Sequence, residues 1–277
     1  MPLATGAILR DAYEQHYAVP AFSVHSADMI EAVVAEANLQ RMPIMLQIGQ
    51  RAIRNGQMQT LVGAIQAVAS QVSIPVVIHL DHSRQFEQIV QALRAGFTSC
   101  MIDASALSFE ENIAETVQAV RVCHAVGVPV EGELGAIGGA EDDIDVRDED
   151  VIYTSPEAAA EFIHRTGVDS LAVAIGSAHG MYKQEPKLDL ERLGSIYAAT
   201  NVPLVLHGGS GIPEDQIRRA LKLGIAKINF DTELRLAYVA GLREGAEQYG
   251  DDPFTVVQYA QQRLREVVRE KIRFCAG

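Results

Sequence analysis

The sequence predicts a closed (β/α)8 barrel, and three observations carry the prediction. Eight short apolar runs alternate with longer segments of helical period. The chain has 277 residues, close to the ~250 typical of such a barrel. No linker, low-complexity tract or long run of like charge interrupts the alternation. Near-continuous apolar strands separated by helices imply a parallel sheet covered by helices. An open doubly wound sheet is the rival arrangement, and the length would also accommodate two small domains. Eight uninterrupted units favour closure, with residues 1–277 as one barrel domain and a helical arm from about residue 250.

Each unit is legible in turn. Strands are expected at residues 18–24, 43–48, 75–80, 99–103, 128–134, 170–175, 203–207 and 227–230, all short runs rich in apolar and β-branched residues. Helices are expected at 28–39, 58–71, 84–95, 110–126, 157–166, 190–199 and 214–223, where apolar residues recur at three- and four-residue intervals. Local punctuation sets several boundaries. Gly96 and Gly127 follow helical segments, and glycine past a helix end takes the left-handed conformation that closes it. Pro129 and Pro203 open strands, where a missing N–H removes no ladder bond. Beyond the eighth strand, 232–248 and 253–274 read as two further helices that close the barrel.

Hydrophobic residues make up 48% of the chain and charged residues 21%, which excludes a largely disordered protein. The formal net charge of −13 repels a phosphate backbone at long range, so nucleic acid is not an expected partner. A small anion still has access to a local site built from a metal or from helix N-termini. Cys100, Cys123 and Cys275 are odd in number, widely spaced and form no C-x-x-C pair, so neither a disulfide framework nor a structural zinc site is expected. The N-terminus has no basic segment leading into an apolar one, and no apolar run is long enough to cross a membrane. A cytoplasmic location without membrane contact is the expectation.

In such a barrel, chemistry collects at the C-terminal ends of the strands. The third strand ends in His79-Leu80-Asp81-His82, the fourth at Asp103, and the fifth carries Glu131 and Glu133. The sixth runs into Gly176-Ser177-Ala178-His179-Gly180, the seventh into His207-Gly208-Gly209-Ser210-Gly211, and the eighth into Asn229-Phe230-Asp231-Thr232. A lone strand-end histidine is usually a hydrogen-bonded structural residue. Three of them around one mouth are better read as ligands, because neutral imidazoles suit Zn2+ and a catalytic zinc keeps three protein ligands and an open position. His82, His179 and His207 form this set, while His79 lies deeper, as core or as support for a ligand. Zinc held by three neutral ligands keeps its double charge and polarises a carbonyl. Asp81 either exchanges a proton with substrate or orients a histidine.

The glycine loop 208–211 precedes a helix starting near Pro213, and such a loop offers N–H groups to a phosphate, with 229–232 as the facing wall. By itself it is equally a tight turn. The long 135–155 loop carries Gly138-Gly139-Ala140-Glu141-Asp142-Asp143. It reads as a hinged lid bringing an acid to bound substrate or as a solvated acidic loop. No lysine ends a strand, Lys227 opening one, which weighs against Schiff-base chemistry.

Six segments in order, HLDH at 79–82, MIDAS at 101–105, GELGAIGGAEDD at 132–143, AIGSAHGMY at 174–182, LHGGSG at 206–211 and KINFDTEL at 227–234, together resemble the class II, zinc-dependent ketose-bisphosphate aldolases over essentially the whole chain. The resemblance implies a lyase that cleaves a ketose 1,6-bisphosphate to dihydroxyacetone phosphate and glyceraldehyde 3-phosphate, and the reverse addition. It implies one zinc per subunit on His82, His179 and His207. Asp81 then handles the proton at the aldehyde-derived oxygen, and Glu141 is the lid acid that takes a proton from dihydroxyacetone phosphate. Gly180, Gly208, Gly209, Ser210, Asn229, Phe230, Asp231 and Thr232 match that product's phosphate site, where some relatives also hold a monovalent cation. Asp103 and Glu133 match residues associated with an alternative, buried metal position. The second phosphate needs a cation that relatives borrow from a neighbouring subunit, and Arg265 is the candidate. A homodimer or homotetramer is implied in the same way.

The chain departs from many relatives at Ser23, where asparagine is common, and at Gln47-Ile48-Gly49-Gln50, which lacks a frequent Ser or Thr. Segments around 138–143 and 179–182 look more like tagatose-bisphosphate aldolases, whereas 207–211 and 229–232 resemble fructose-bisphosphate types as well. Tagatose 1,6-bisphosphate is therefore the expected sugar, with fructose 1,6-bisphosphate or another phosphorylated keto-sugar as alternatives. A barrel zinc hydrolase would carry His-x-His at the first strand end, where this chain has His25 alone. A non-catalytic barrel subunit of an aldolase complex would not need all three histidines together with Asp81 and Glu141.

Overall fold

Apolar runs and helical segments alternate through the computed structural model in the order the sequence predicts. It describes residues 3–141, 144–147, 150–182 and 184–277, with the backbone alone at 140, 141 and 144–146. In chain order the elements are α1 (Leu9–Gln15), β1 (Val19–Ser23), α2 (Ala27–Gln40), β2 (Ile44–Ile48), α3 (Gln50–Arg54), α4 (Met58–Ala69), β3 (Val76–Ser83), α5 (Phe86–Ala95), β4 (Ser99–Ile102), α6 (Phe109–His124) and β5 (Val130–Leu134). There follow β6 (Gly138–Glu141), β7 (Ile144–Val146), α7 (Pro156–Thr166), β8 (Ser170–Val173), β9 (Ala178–His179), α8 (Leu190–Ala199), β10 (Leu204–Leu206), α9 (Glu214–Leu221), β11 (Ile225–Phe230), α10 (Thr232–Tyr249) and α11 (Pro253–Cys275).

The ring β1-β2-β3-β4-β5-β8-β10-β11 closes as a parallel (β/α)8 barrel, sealed where Val19 pairs with Lys227 and Phe22 with Phe230. Two boundaries differ from expectation in ways that bear on the site. β3 runs on to Ser83 and carries Asp81 and His82 as strand residues, with its register against β4 shifting between Leu80 and Ser83. β11 begins at Ile225, because Ile225 pairs with Leu204 of β10, so Lys227 lies inside the strand instead of opening it. The long loop after β5 holds further structure: β6 pairs antiparallel with β7 and parallel with β9. These strands, α1 and α3 are too short for hydrophobic period to announce them.

Local chemistry sets the helix ends. Ser108 and Glu111 form a reciprocal capping box on α6. Ser155 caps α7, with Pro156 at its first position and left-handed Gly167 beyond its last. The main core lies between barrel and helices, where outward strand residues such as Phe22, Leu46, Ile78 and Ile228 meet Ile30, Val33, Ile65 and Phe162. Inside the barrel, Leu9 and Ala12 of α1 pack with Val19, Ala21, Met45 and Val77 to form an apolar floor. Above it the inward positions turn polar. Helix α11 lies along α2 and α10, pinned where buried Glu36 meets Arg265 at 3.1 Å and Arg269 at 2.7 Å. No helix among the described residues is long and apolar enough to cross a membrane.

Candidate active site

Three elements deliver the histidines. His82 lies one residue before the end of β3 with φ 46°, a left-handed conformation uncommon outside glycine and often found at functional sites. His179 sits on β9, and His207 follows β10 directly. Glycines on both sides allow the backbone around His179 to be approached. A Cβ on Gly139 (φ 91°) would lie 2.1 Å from His179 O, and one on Gly208 (φ 64°) would lie 2.1 Å from Ala178 O. Only glycine fits either place.

The ligand atoms of His82, His179 and His207 all lie within 4.8 Å of one another, and all three residues are buried. His82 Nδ1 lies 3.0 Å from Asp103 Oδ2, and His207 Nε2 lies 2.9 Å from Glu131 Oε1. An ionised carboxylate only accepts, so each ring donates from that outer nitrogen. Their remaining nitrogens, His82 Nε2 and His207 Nδ1, then face each other at 3.1 Å, close enough to share a proton or a cation between them. When both rings are neutral, such a pair is satisfied by a shared metal cation. Two imidazoles on one tetrahedral zinc at ~2.0–2.1 Å stand ~3.3 Å apart, so the donor set fits the metal.

Surrounding charge points the same way. Burial pushes His82 down, but Asp81, Asp103 and Glu133 outweigh it and raise its pKa to about 10, so the spot favours positive charge. Burial would raise Asp103, yet its hydrogen bond and charge pairing with His82 hold it well below the usual carboxylate range. Glu133 goes the other way, pushed well up by burial and by the negative charge of Asp103. Its Oε2 has no hydrogen-bond partner among the described residues and stands 3.9 Å from His82 Nδ1 and from His207 Nδ1. His82, Asp103 and Glu133 form a second group spaced for a cation.

Asp81 is buried beside His82, its Oδ1 accepting from Gln47 Nε2 at 2.8 Å. Gln50 Nε2 reaches Asp81 O at 3.4 Å and is itself braced by Gln88 at 2.8 Å. Sequence reasoning noted Gln47 and Gln50 as departures but missed this contact. The signal available was their position at the C-terminal end of β2, the strand beside Asp81.

On the opposite side of the mouth, Tyr182 Oη accepts from Ala178 N and donates to Gly208 O, both at 2.8 Å, tying together the loops that carry His179 and His207. Burial keeps this phenol protonated, its pKa pushed up to about 12. Ser177 Oγ, Ser210 Oγ and Asn229 Oδ1 are buried there without a hydrogen-bond partner among the described residues. An unmet buried polar atom costs about 1–3 kcal/mol, so three in the segments that follow β8 and β10 and near the end of β11 point to a bound polar group. Gly180, Gly208 and Gly209 belong to these same loops, and Gly180 and Gly208 have positive φ. Thr232 opens α10 after Asp231, whose Oδ1 lies 2.7 Å from His25 Nε2. Phe230 brings only backbone to the mouth. Strand alternation turns its ring outward onto Phe22, with centroids 5.9 Å apart.

Glu141 ends β6, but its side chain, with Asp142 and Asp143, lies outside the described residues. Arg265 is not brought to the cluster and instead meets Glu36 of α2 in the outer helical layer. Two other arginines stand nearer the mouth. A pocket of about 260 Å³ is lined by His25 after β1, Arg51 of α3, Arg235 of α10, Met29 and Tyr238.

Compared with known proteins, residues 4–277 match the family model of class-II fructose-bisphosphate aldolase. The chain is 41% identical over 268 residues to the sulfofructosephosphate aldolase of Alkalicoccus urumqiensis, covering 96% of this chain and 93% of that one. Among solved structures it is similar to the YdjI aldolase of Escherichia coli K12, with a TM-score of 0.88 and 38% identity across 99% and 97% of the two chains. It shares its fold with a fructose-bisphosphate aldolase of Campylobacter jejuni, with a TM-score of 0.82 and 24% identity across 99% and 95%.

Proposed function

The chain belongs to the class II fructose-bisphosphate aldolase family and is an aldolase, a carbon–carbon lyase; on that premise we propose that it cleaves a ketose 1-phosphate with a second anionic group at its far end, using zinc held by His82, His179 and His207. The observation that carries this reading is the buried three-imidazole cluster, with two ring nitrogens facing at 3.1 Å. Zinc bound there supplies positive charge that stabilises the charge developing on a ketone oxygen when the adjacent bond breaks.

The protein's own groups do the rest. In the cleavage direction Asp81, oriented by Gln47, takes the proton of the hydroxyl on the far side of the scissile bond as that oxygen becomes an aldehyde. The bonding electron pair stays on the ketone fragment, and Glu141 from the β6 end protonates that carbon to give dihydroxyacetone phosphate. Ser177 and Ser210 donate hydroxyl hydrogens to the phosphate, alongside the backbone of Gly180, Gly208, Gly209 and 230–232. Asn229 Oδ1, an acceptor, suits a substrate hydroxyl or a monovalent cation.

Tagatose 1,6-bisphosphate remains the first sugar to try, as the 138–143 and 179–182 segments imply. The 41% identity to a sulfofructosephosphate aldolase supports a sulfonated fructose phosphate as a second candidate. Either far group is an anion, and the Arg51 and Arg235 pocket is a site for one within the same chain. A side-by-side assay of both sugars and fructose 1,6-bisphosphate, with a chelator control, tests the proposal. Chelator-sensitive release of dihydroxyacetone phosphate is expected, and the ratio of rates names the sugar. No release from any of them by zinc-loaded protein would reject it.

A further inference from the structure

Below the histidines the barrel interior holds a lysine that the proposed chemistry does not use. Lys227 is fully buried, and its Nζ lies 2.8 Å from Glu131 Oε2 and 3.3 Å from His79 Nε2. His79, also fully buried, reaches Ser99 Oγ from Nδ1 at 2.8 Å. The second oxygen of Glu131 lies 2.9 Å from His207 Nε2. One unbroken path therefore runs from Ser99 through His79, Lys227 and Glu131 to His207.

Donor and acceptor roles along the path are fixed by chemistry. An ammonium only donates, so His79 accepts at Nε2 and offers its proton to Ser99 from Nδ1. Glu131 receives Lys227 on one oxygen and the Nε2–H of His207 on the other. That leaves Nδ1 of a neutral His207 as the nitrogen without a proton, the atom turned toward His82. A buried ammonium without a partner is costly, so this lysine and this carboxylate hold each other in place. Charge balance adds a second effect. Asp81, Asp103, Glu131 and Glu133 line the interior around the histidines, and Lys227 is the only lysine or arginine among the described residues inside the barrel.

We propose that Lys227 is a positioning residue for the metal centre: its ion pair fixes Glu131, which in turn holds His207 in the tautomer and orientation that present Nδ1 to zinc. The inference rests on the reading of His82, His179 and His207 as zinc ligands. Supports of this kind are typically worth 10–100-fold in metal affinity.

The test is zinc affinity by competition with a chromophoric chelator, with the visible spectrum of bound Co2+ as a second readout. The proteins compared are wild type, Lys227→Met, Glu131→Gln and the double variant. Lys227→Met leaves Glu131 with an uncompensated buried charge, and the carboxylate relaxes away from His207. Affinity should fall ~10–100-fold with an altered Co2+ spectrum. Glu131→Gln faces Lys227 with an amide that serves two donors poorly, and should also bind more weakly. In the double variant the amide oxygen still accepts from His207 and no buried charge lacks a partner. Its affinity should return to within about threefold of wild type, a non-additivity expected of coupled neighbours.

Equal affinities for wild type and Lys227→Met overturn the inference. So does a double variant that binds no more tightly than Glu131→Gln while melting like wild type in chelator, a comparison that stands even where Lys227→Met does not fold. A wild-type chain that binds neither metal overturns the ligand reading itself, and the inference with it.

Discussion

His79 and His82 lie three residues apart on β3, both buried, and the two regions they occupy treat them in opposite ways. At the floor, burial and the charge of Lys227 hold His79 well below the ordinary histidine range. At the mouth, burial acts on His82 too, but Asp81, Asp103 and Glu133 outweigh it and raise the ring to about 10. One region contains its own cation, and the other gathers carboxylates around three imidazoles as if awaiting one. Burial alone does not decide the state of a histidine; the sign of its neighbours does. The floor is built for order, and the mouth concentrates acids at a cost in stability that a bound cation offsets.

The contrast can be broken most severely at a proposed ligand. His207→Ala should lower zinc affinity and kcat/KM by ~1,000-fold or more, because three ligands hold a catalytic zinc. His79→Asn, at the floor, should leave zinc affinity within about tenfold yet lower stability by ~1–3 kcal/mol as Lys227 and Ser99 lose a partner. Chelator competition and thermal melts measured on both variants would show whether the two regions separate in this way.

Next in size is Asp81→Asn, which keeps the Gln47 contact but removes the base. A fall of ~100- to 10,000-fold in kcat is expected, with metal content unchanged by elemental analysis. Loss of zinc in this variant would instead make Asp81 a support for the ligands.

Gly208→Ala tests the mouth's backbone. A Cβ there would meet Ala178 O at 2.1 Å in a left-handed conformation. The conformation alone costs ~1–2 kcal/mol, so melting should drop by roughly 2–8 °C, with KM for the phosphorylated substrate raised. An unchanged melt would show that the loop has room to spare.

The smallest effect lies outside the barrel, at Glu36. Burial would raise this carboxyl, but hydrogen bonds from Arg269, Gln40 and Arg265 outweigh it and hold its folded pKa below the ordinary value. A group depressed in this way stabilises the fold above its unfolded pKa of ~4.3 and loses that contribution as pH falls through the folded value. The melting difference between wild type and Glu36→Gln should therefore be largest near neutral pH and shrink below about pH 4. Zinc affinity should not change. A difference that is constant from pH 7 to pH 3 would detach Glu36 from its arginines.

Much of the mouth was legible because it is local. Asp81, His82 and His207 sit at or beside the end of a barrel strand, the 208–211 glycines in the loop that follows one and His179 six residues past another, and a parallel barrel brings all its strand ends to one rim. Gln47 and Gln50 looked like mere departures because their partner, Asp81, lies more than thirty residues away. Arg265 was assigned by analogy as a cation lent to a neighbouring subunit's site; within its own chain it meets Glu36 of α2, a contact across more than two hundred residues that the helical spacing of α11 does not record.

The sequence by itself determined the alternation of strand and helix, hence the barrel, and the identity of the imidazoles that ring its mouth. Period, capping and turn chemistry are short-range and survive in one dimension. Only the tertiary structure decided that Lys227 points inward from the middle of β11, that Glu131 stands between it and His207, and that two ring nitrogens face each other with their outer partners taken. Those facts depend on strand register and on partners 76 to 148 residues apart, which closure of the barrel brings together and no local pattern records.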